Sequence, residues 1–472
     1  MKKFSIYSIL ASAMLLILIG CNINKTEKEN DADSTFFKKG DRICFVGNSI
    51  THMGFFHHDI YLYHVTRFPN EPVRMFNLGV SGDVTGGVLN RMDDDILIHK
   101  PTHATIMLGM NDVNRGLYGP QPTTDKDTLK RRKEAVDIYK KQLDEIINIF
   151  LSKNIKVILE RPSIYDQTAK LPERNHLGVN DVLGECAVYI DSLAAKYKLP
   201  TVDFHTIMNR INSELQKADP AATLTGADRI HPGQTGHMVM AYQFLKTENA
   251  PKYVSKIVID NKKAKATPES LNCEINSVTA KNNNISFSVK EHALPFPSTE
   301  DMQEGIKLVN FTNELNVELL KITGLKPGKY QLKIDGKTIS KFSDKQLGEG
   351  VNLAEINTTP QYKQAQKVLV KFQELWKMEG DLRGMKFIEY MEDYKSCPHK
   401  EDIQFVETYL DSIFSGYPDP YYKNQLKKYI SNKPNETEML KKSEILRDEI
   451  YRIAQPVEHQ FSLEVIEFAG TK

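Results

Sequence analysis

From residue 38 to about 248, short apolar runs alternate with longer amphipathic stretches, and this alternation limits the fold more than any other feature of the chain. The runs are Ile43–Val46, Val73–Leu78, Ala104–Leu108, Ile155–Leu159 and Thr201–Phe204. They are short and mostly apolar, the pattern of strands buried in a parallel sheet. The stretch RRKEAVDIYKKQLDEIINIFLSK (131–153) sets Ala135, Ile138, Leu143, Ile146, Ile147 and Phe150 mostly three or four apart, as one helix face requires. Strands alternating with helices predict the α/β class: a parallel sheet covered on both faces, an α/β/α sandwich over 38–250. In such sheets functional groups gather beyond the carboxyl ends of the strands.

The pattern changes after residue 250. Over 251–357 apolar and polar positions alternate, as in NISFSVK and KYQLKIDGKTIS, which predicts a small antiparallel β domain. The second segment contains Asp335-Gly336, a two-residue hairpin signal. Helical periodicity returns from 361 to about 455, in one segment carrying Val368, Leu369, Phe372, Leu375 and Trp376, a second near 401–414, and a third, EMLKKSEILRDEIYRIA, that ends before Pro456. Residues 459–468 alternate again. Residues 358–472 therefore read as a helical region with a closing strand, which would make the helices an insertion in the β domain if that strand rejoins it.

The first residues read differently from the rest. Lys2 and Lys3 precede the apolar run Phe4–Ile19, which is short of the roughly 20 residues a membrane span needs and has the layout of an export signal. The ending Leu18-Ile19-Gly20-Cys21 resembles the bacterial lipobox, in which the cysteine is lipidated and becomes the mature N-terminus. Residues 1–21 are thus expected to be a lipoprotein signal, with Cys21 the lipid anchor and the polar stretch 22–37 a tether. The product would be an exported bacterial lipoprotein, membrane-anchored in the periplasm or at the cell surface. Lysine and arginine number 62 against 61 aspartate and glutamate, so no charge imbalance points to nucleic acid. Cys44, Cys186, Cys273 and Cys397 lie far apart without CxxC spacing, and neither a metal nor a cofactor is expected.

Four polar blocks stand out in the sandwich. VGNSIT follows the first run, NLGVSGD (77–83) the second, LGMND (108–112) the third, and DRIHPGQTGH (228–237) precedes the last helix. Singly, Ser49 reads as a helix cap, Gly82 as a turn glycine, Asn111 as a loop residue and His231 as a surface histidine. Jointly they meet a stricter demand. Acyl transfer by a serine needs a nucleophile, a base in reach, a group that orients the base, and donors aimed at the developing oxyanion. Ser49 would be displayed at the end of the first strand, with Thr51 helping to cap the next helix. Asp228 and His231, three apart in one loop, can place a carboxylate on one imidazole nitrogen and leave the other for the serine. Gly82 allows close approach of a backbone N–H, and Asn111 offers a side-chain N–H₂.

These blocks, in this order, resemble those of the GDSL, or SGNH, hydrolases over roughly residues 40–248. That family comprises flavodoxin-like α/β/α esterases and lipases named for Ser, Gly, Asn and His in four blocks. The resemblance implies Ser49 as nucleophile, the Ser49 and Gly82 backbone N–H groups with the Asn111 side chain as oxyanion hole, and Asp228 and His231 completing the triad. The family's name motif has aspartate before the serine; this chain has Asn48, which leaves open how the serine loop is braced. The implied activity is a serine esterase acting on short, acetyl esters of carbohydrate, its partner an acylated glycan or other small ester. The alternatives are a glycan-binding surface lipoprotein with a non-catalytic sandwich, and a lipase or thioesterase.

Other features carry simpler readings. The loops 111–127 and 161–181 are rich in Arg, Asn, Asp, Gln and Thr, with Tyr118 and Tyr165 as candidate stacking rings for a sugar. FFHHD (55–59) has adjacent histidines that would point apart on a helix, unlike metal ligands. Asp93-Asp94-Asp95 reads as a solvated helix face, and GYPDPYY (416–422) as a proline-rich turn with packed tyrosines, or else a platform for sugar rings.

Overall fold

The computed structural model describes residues 35–281, 284–417 and 419–468; the expected export signal, Cys21 and most of the expected tether lie outside the described residues. The five apolar runs become parallel strands: β1 (Arg42–Gly47), β2 (Arg74–Gly79), β3 (His103–Met107), β4 (Lys156–Arg161) and β5 (Thr201–Asp203). They lie in the order β2-β1-β3-β4-β5, so the strand order reverses beside β1, where an open α/β sheet forms its crevice. Side chains of β1 alternate between two cores: Ile43 and Phe45 enter one, Cys44 and Val46 the other.

Helices α1 (Ser49–Met53), α2 (Phe55–Arg67), α3 (Thr85–Asn90), α4 (Lys126–Ser152), α5 (Val179–Tyr197), α6 (Phe204–Ala218) and α7 (Gln234–Thr247) complete the sandwich. α2, α6 and α7 cover the Phe45 face, and α3, α4 and α5 cover the Val46 face. The Asp125 carboxylate accepts the Thr128 N–H at 2.8 Å and starts α4. The buried face of α4 is Val136, Tyr139, Leu143, Ile146, Ile147 and Phe150, one helical stripe. It differs from the expected face, which took Ala135 and Ile138: Ile138 is 56% exposed because Tyr139 holds the inward position. The tether boundary at 37 is also corrected. Phe37 is buried against Phe244 and edge-on to His103, so the folded unit has already begun there.

Beyond α7 come β6 (Tyr253–Asp260), β7 (Lys265–Ala266), β8 (Cys273–Lys281), β9 (Asn284–Glu291), α8 (Gln303–Leu308), α9 (Phe311–Leu315), β10 (Val317–Thr323), β11 (Gly328–Ile334), β12 (Lys337–Ser343), α10 (Asp344–Glu349) and β13 (Val351–Asn352). With β14 (Glu458–Phe468) they form two sheets, β13-β10-β6-β7 and β12-β11-β14-β9-β8. Ile257, Phe287, Leu320, Leu332 and Phe461 share one core. Asp335 (φ 50°) and Gly336 (φ 75°) make the hairpin between β11 and β12, both in the left-handed region that matches strand twist. One pair departs from the antiparallel pattern. β6 and β10 run parallel, because the intervening chain, ending in α8 and α9, returns to the end where β6 began.

The last helices are α11 (Pro360–Tyr390), α12 (Glu392–Lys395), α13 (Ile403–Phe414), α14 (Tyr421–Asn432) and α15 (Glu436–Ile453). Thr359 caps α11 by accepting the Tyr362 N–H at 3.2 Å, and Pro360 supplies the first turn. Because β14 pairs with both β9 and β11, these helices are inserted between strands of the β region. They do not stand apart from the sandwich. Phe372 and Leu375 enter the core of α2 and α7, and Val80, just after edge strand β2, packs among Met385, Phe387 and Leu410. His58 and Glu379 form a buried pair at 2.7 Å, with the His58 ring stacked on Trp376. His58 thus ties the insertion to α2, while His57 donates to the Thr51 carbonyl at 3.1 Å, and among the described residues no cluster of three or more metal-ligating side chains occurs.

Candidate active site

β1 stops at Gly47 for a steric reason. A Cβ there would lie 2.2 Å from Thr51 Oγ1 and 2.9 Å from the Met107 carbonyl, so only glycine lets the chain turn so tightly between β1 and α1. Asn48 then caps α1, its Oδ1 accepting the Ile50 N–H at 3.1 Å. The residue that departs from the family's name motif is therefore the brace of the serine loop. Thr51 does not cap the next helix; the N-cap of α2 is Gly54, with no side-chain cap, and Thr51 is buried. Ser49 is left half-buried at the carboxyl end of β1.

His231 Nε2 lies 2.7 Å from Ser49 Oγ, across 182 positions of sequence. Its Nδ1 lies 2.5 Å from Asp228 Oδ2, so the hydrogen-bond pattern assigns the proton to Nδ1 and leaves Nε2 to accept from the hydroxyl. Asp228 Oδ1 accepts the N–H groups of Ile230 (3.0 Å) and His231 (3.1 Å). Partial burial pushes the Asp228 carboxyl up, but the His231 ring and these two backbone donors outweigh it and hold it down at about 2. The loop is pinned from beneath by Arg229, which takes a left-handed conformation (φ 68°) and sends its guanidinium to the carbonyls of Asp166, Ala169, Leu171 and Glu173.

Gly82 is the third residue of a turn closed by the Asp83 N–H on the Val80 carbonyl at 3.1 Å. Its φ of 81° is what that position of a type II turn demands of glycine. No protein atom lies within 4 Å of where its Cβ would be, so conformation, not crowding, selects glycine here. Asn111 Nδ2 donates to the Asp83 carbonyl at 2.9 Å, and Arg115 donates to Asn111 Oδ1 at 2.8 Å. These contacts fix the amide's orientation. Asp112 ties the same loop to α3 by accepting from the Thr85 N–H and hydroxyl, both at 2.7 Å, and from the Gly109 N–H at 2.9 Å.

A serine hydroxyl on an imidazole whose other nitrogen meets a carboxylate is the arrangement serine acyl transfer uses. All five residues singled out in the sequence lie at the carboxyl edge of the sheet. Two other expectations are corrected. Tyr118 and Tyr165 are buried, not displayed as stacking rings: the Arg132 guanidinium lies 3.8 Å over the Tyr118 ring, and Tyr165 Oη accepts the His176 N–H at 2.9 Å. Within the acidic run, Asp93 and Asp94 are exposed, but Asp95 is 1% exposed and paired with Arg91 and Arg383. The sequence also gave no notice of Arg91, Arg115, Arg229 and Arg383: Arg91 meets Asp83 and Asp95 close by in the chain, Arg115 the Met110 carbonyl and the Asn111 amide oxygen, Arg229 four backbone carbonyls, and Arg383 the distant Asp95. The DRIH spacing was the only available signal, and only for Arg229.

Residues 45–239 match the GDSL-like Lipase/Acylhydrolase family. The solved structure of a gut microbial diltiazem-metabolizing enzyme is 32% identical, with a TM-score of 0.82 over 91% of this chain and 98% of that one. The chain belongs to the GDSL-like lipase/acylhydrolase family. An acetylxylan esterase of Geobacillus stearothermophilus is 25% identical over 222 residues, 44% of this chain and 93% of that protein. The crystal structure of Axe2, an acetylxylan esterase from that organism, is 23% identical with a TM-score of 0.36, over 45% of this chain and 95% of that one. This family member is an ester hydrolase. The likeness to the diltiazem-metabolizing enzyme, unlike the others, extends across most of the C-terminal half.

Proposed function

We propose that this GDSL hydrolase is a serine esterase that removes short acyl groups, acetyl above all, from carbohydrate. The observation that carries the reading is the Asp228–His231–Ser49 relay, with 2.7 Å between imidazole and hydroxyl. His231 takes the Ser49 proton as the oxygen attacks the ester carbonyl, and Asp228 stabilises the imidazolium without itself being protonated. The tetrahedral oxyanion is met by the Ser49 and Gly82 N–H groups and the Asn111 amide. His231 then gives that proton to the sugar oxygen as its bond to the acyl carbon breaks, so the sugar leaves as an alcohol and the acyl group stays on Ser49. Water, deprotonated by His231, attacks the acyl-enzyme, and the acid is released.

The carbohydrate assignment rests on the acetylxylan esterase relative and on the polar loops 111–127 and 161–181. A long acyl chain needs an apolar channel, since each buried CH₂ is worth about 0.8 kcal/mol, and these loops are poor material for one. A second reading, a small-molecule ester rather than a glycan, draws on the relative that matches almost end to end and is described as metabolizing diltiazem. Lipidation at Cys21, with membrane anchoring and a role outside the cytoplasm, completes the proposal. A series of nitrophenyl esters from two to eight carbons, run beside acetylated xylo-oligosaccharides, tests the substrate. Acetate release from the saccharide and efficiency falling with chain length support the proposal. Efficiency rising toward eight carbons would replace it with a lipase, and activity on small acetyl esters alone would favour the second reading.

A further inference from the structure

Beneath the three oxyanion donors lies a buried chain of four charges, and its last member comes from the helical insertion. Arg383 of α11 grips Asp95 with both ends of its fork, at 2.7 and 2.9 Å, and its Nε donates to the Gly79 carbonyl at 3.0 Å. Asp95 Oδ2 also accepts from Arg91 Nη1 at 2.7 Å. Arg91 Nε donates to Asp83 Oδ2 at 2.8 Å, and its Nη2 reaches the Gly47 carbonyl at 3.4 Å. The Asp83 carbonyl in turn receives the Asn111 amide. Side-chain exposure is 5% for Arg383, 1% for Asp95 and Arg91, and 7% for Asp83.

This chain touches the support of every oxyanion donor. Gly47 is two residues before Ser49. Gly79 and Asp83 bracket the turn that holds Gly82. The Asp83 carbonyl orients Asn111. Four buried charges are an expensive way to glue α11 to the sheet, because desolvation consumes much of what pairing returns, and apolar side chains would do that task as well. What the charges add is direction: a fork fixes the positions of the groups it binds.

We propose that Arg383 is a positioning residue for the oxyanion hole, acting through Asp95, Arg91 and the Gly79–Asp83 turn, so that the helical insertion is part of the catalytic unit. This rests on the oxyanion reading of Ser49, Gly82 and Asn111 given above. The test uses the full chain. Arg383→Gln removes the fork; Arg383→Lys keeps the charge; the double variant Asp95→Asn/Arg383→Gln removes both charges and leaves the Arg91–Asp83 pair. Each is measured for kcat, KM, acid pH limb and the rate ratio of an acetyl ester to its thionoester, because sulfur fits an oxyanion hole poorly. Misplacement at this range costs up to about a hundredfold. The folded double variant should lose about tenfold or more in kcat with KM within about twofold, an unchanged acid limb and a smaller ester-to-thionoester ratio, and Arg383→Lys should lie between it and wild type. A kcat within about twofold of wild type, or a loss that tracks only the unfolded fraction seen by circular dichroism, overturns the proposal. Asn111→Ala is the internal control: if it leaves kcat unchanged, the oxyanion reading has failed and not merely the role of Arg383.

Discussion

Asp228→Asn probes the relay with almost no change of shape. Asp228 Oδ1 is held by two backbone N–H groups, from Ile230 and His231, and only an oxygen can accept them. The amide must therefore keep its oxygen there and turn its NH₂ toward His231 Nδ1. An NH₂ cannot accept the Nδ1 proton, so the imidazole shifts to the Nε2–H tautomer. Nε2 then faces Ser49 Oγ as a donor and cannot take the hydroxyl proton. In a serine protease with the same relay, this substitution costs about 10⁴ in kcat, which is about 5.4 kcal/mol of barrier. The fold should tolerate it, since the carboxylate is 48% exposed and both backbone bonds survive. Stopped-flow release of nitrophenol from nitrophenyl acetate measures acylation directly. A kcat within about tenfold of wild type, in a protein of unchanged melting temperature, would refute the tautomer argument. The pH profile sharpens the test. Asp228 in the folded protein is held at about 2, below its ordinary 3.8, so it contributes to stability above about pH 4 and loses that contribution only as pH falls through about 2. Loss of activity above that range is then not caused by protonation of Asp228.

Two further outcomes follow from single sites. Asn111→Ala should lower kcat by about 10²–10³ with little change in KM, the cost of one oxyanion donor, read in the same nitrophenyl acetate assay. Burial pushes Glu160, in the middle of the sheet at 1% exposure, up to about 8 from an ordinary 4.5. Because the folded value is raised, the neutral acid's contribution is fully present below about pH 4.5 and is lost as pH rises through about 8. Glu160→Gln should therefore flatten the decline in stability between pH 5 and pH 8 and exceed wild type at pH 8 by a few kcal/mol. Urea unfolding at both pH values checks it, and parallel pH dependence in the two proteins would contradict it.

What the sequence disclosed was local. Ser49, Gly82 and Asn111 each sit where an apolar run gives way to glycine and polar residues, the Asp228–His231 pair sits in the loop before the last helix, and the parallel sheet brings these segments together. The Asp335-Gly336 hairpin was readable for the same reason: its conformation is set by the two residues themselves. What escaped was set by which partners a residue meets once the chain has folded. Arg383 meets Asp95 across 288 positions, so no window of sequence distinguishes Asp95 from the exposed Asp93 beside it. Tyr118 and Tyr165 lie in polar loops, yet fold inward because Arg132 and the His176 backbone offer partners there. The buried face of α4 lies a fraction of a turn from the one its apolar spacing predicts, since Ile138 is apolar but Tyr139 points inward. The parallel register of β6 with β10 depends on the path of the chain between them, which residue alternation does not encode.

The central claim is that Ser49 is an activated nucleophile. Treating the full chain with a fluorophosphonate and mapping the modified peptide by mass spectrometry tests it most directly, because an unactivated serine does not react. The account predicts one adduct, on the Ser49 peptide, absent in Ser49→Ala and strongly slowed in His231→Ala. An unlabelled wild-type protein, or an adduct on another residue that persists in Ser49→Ala while esterase activity is retained, would contradict it.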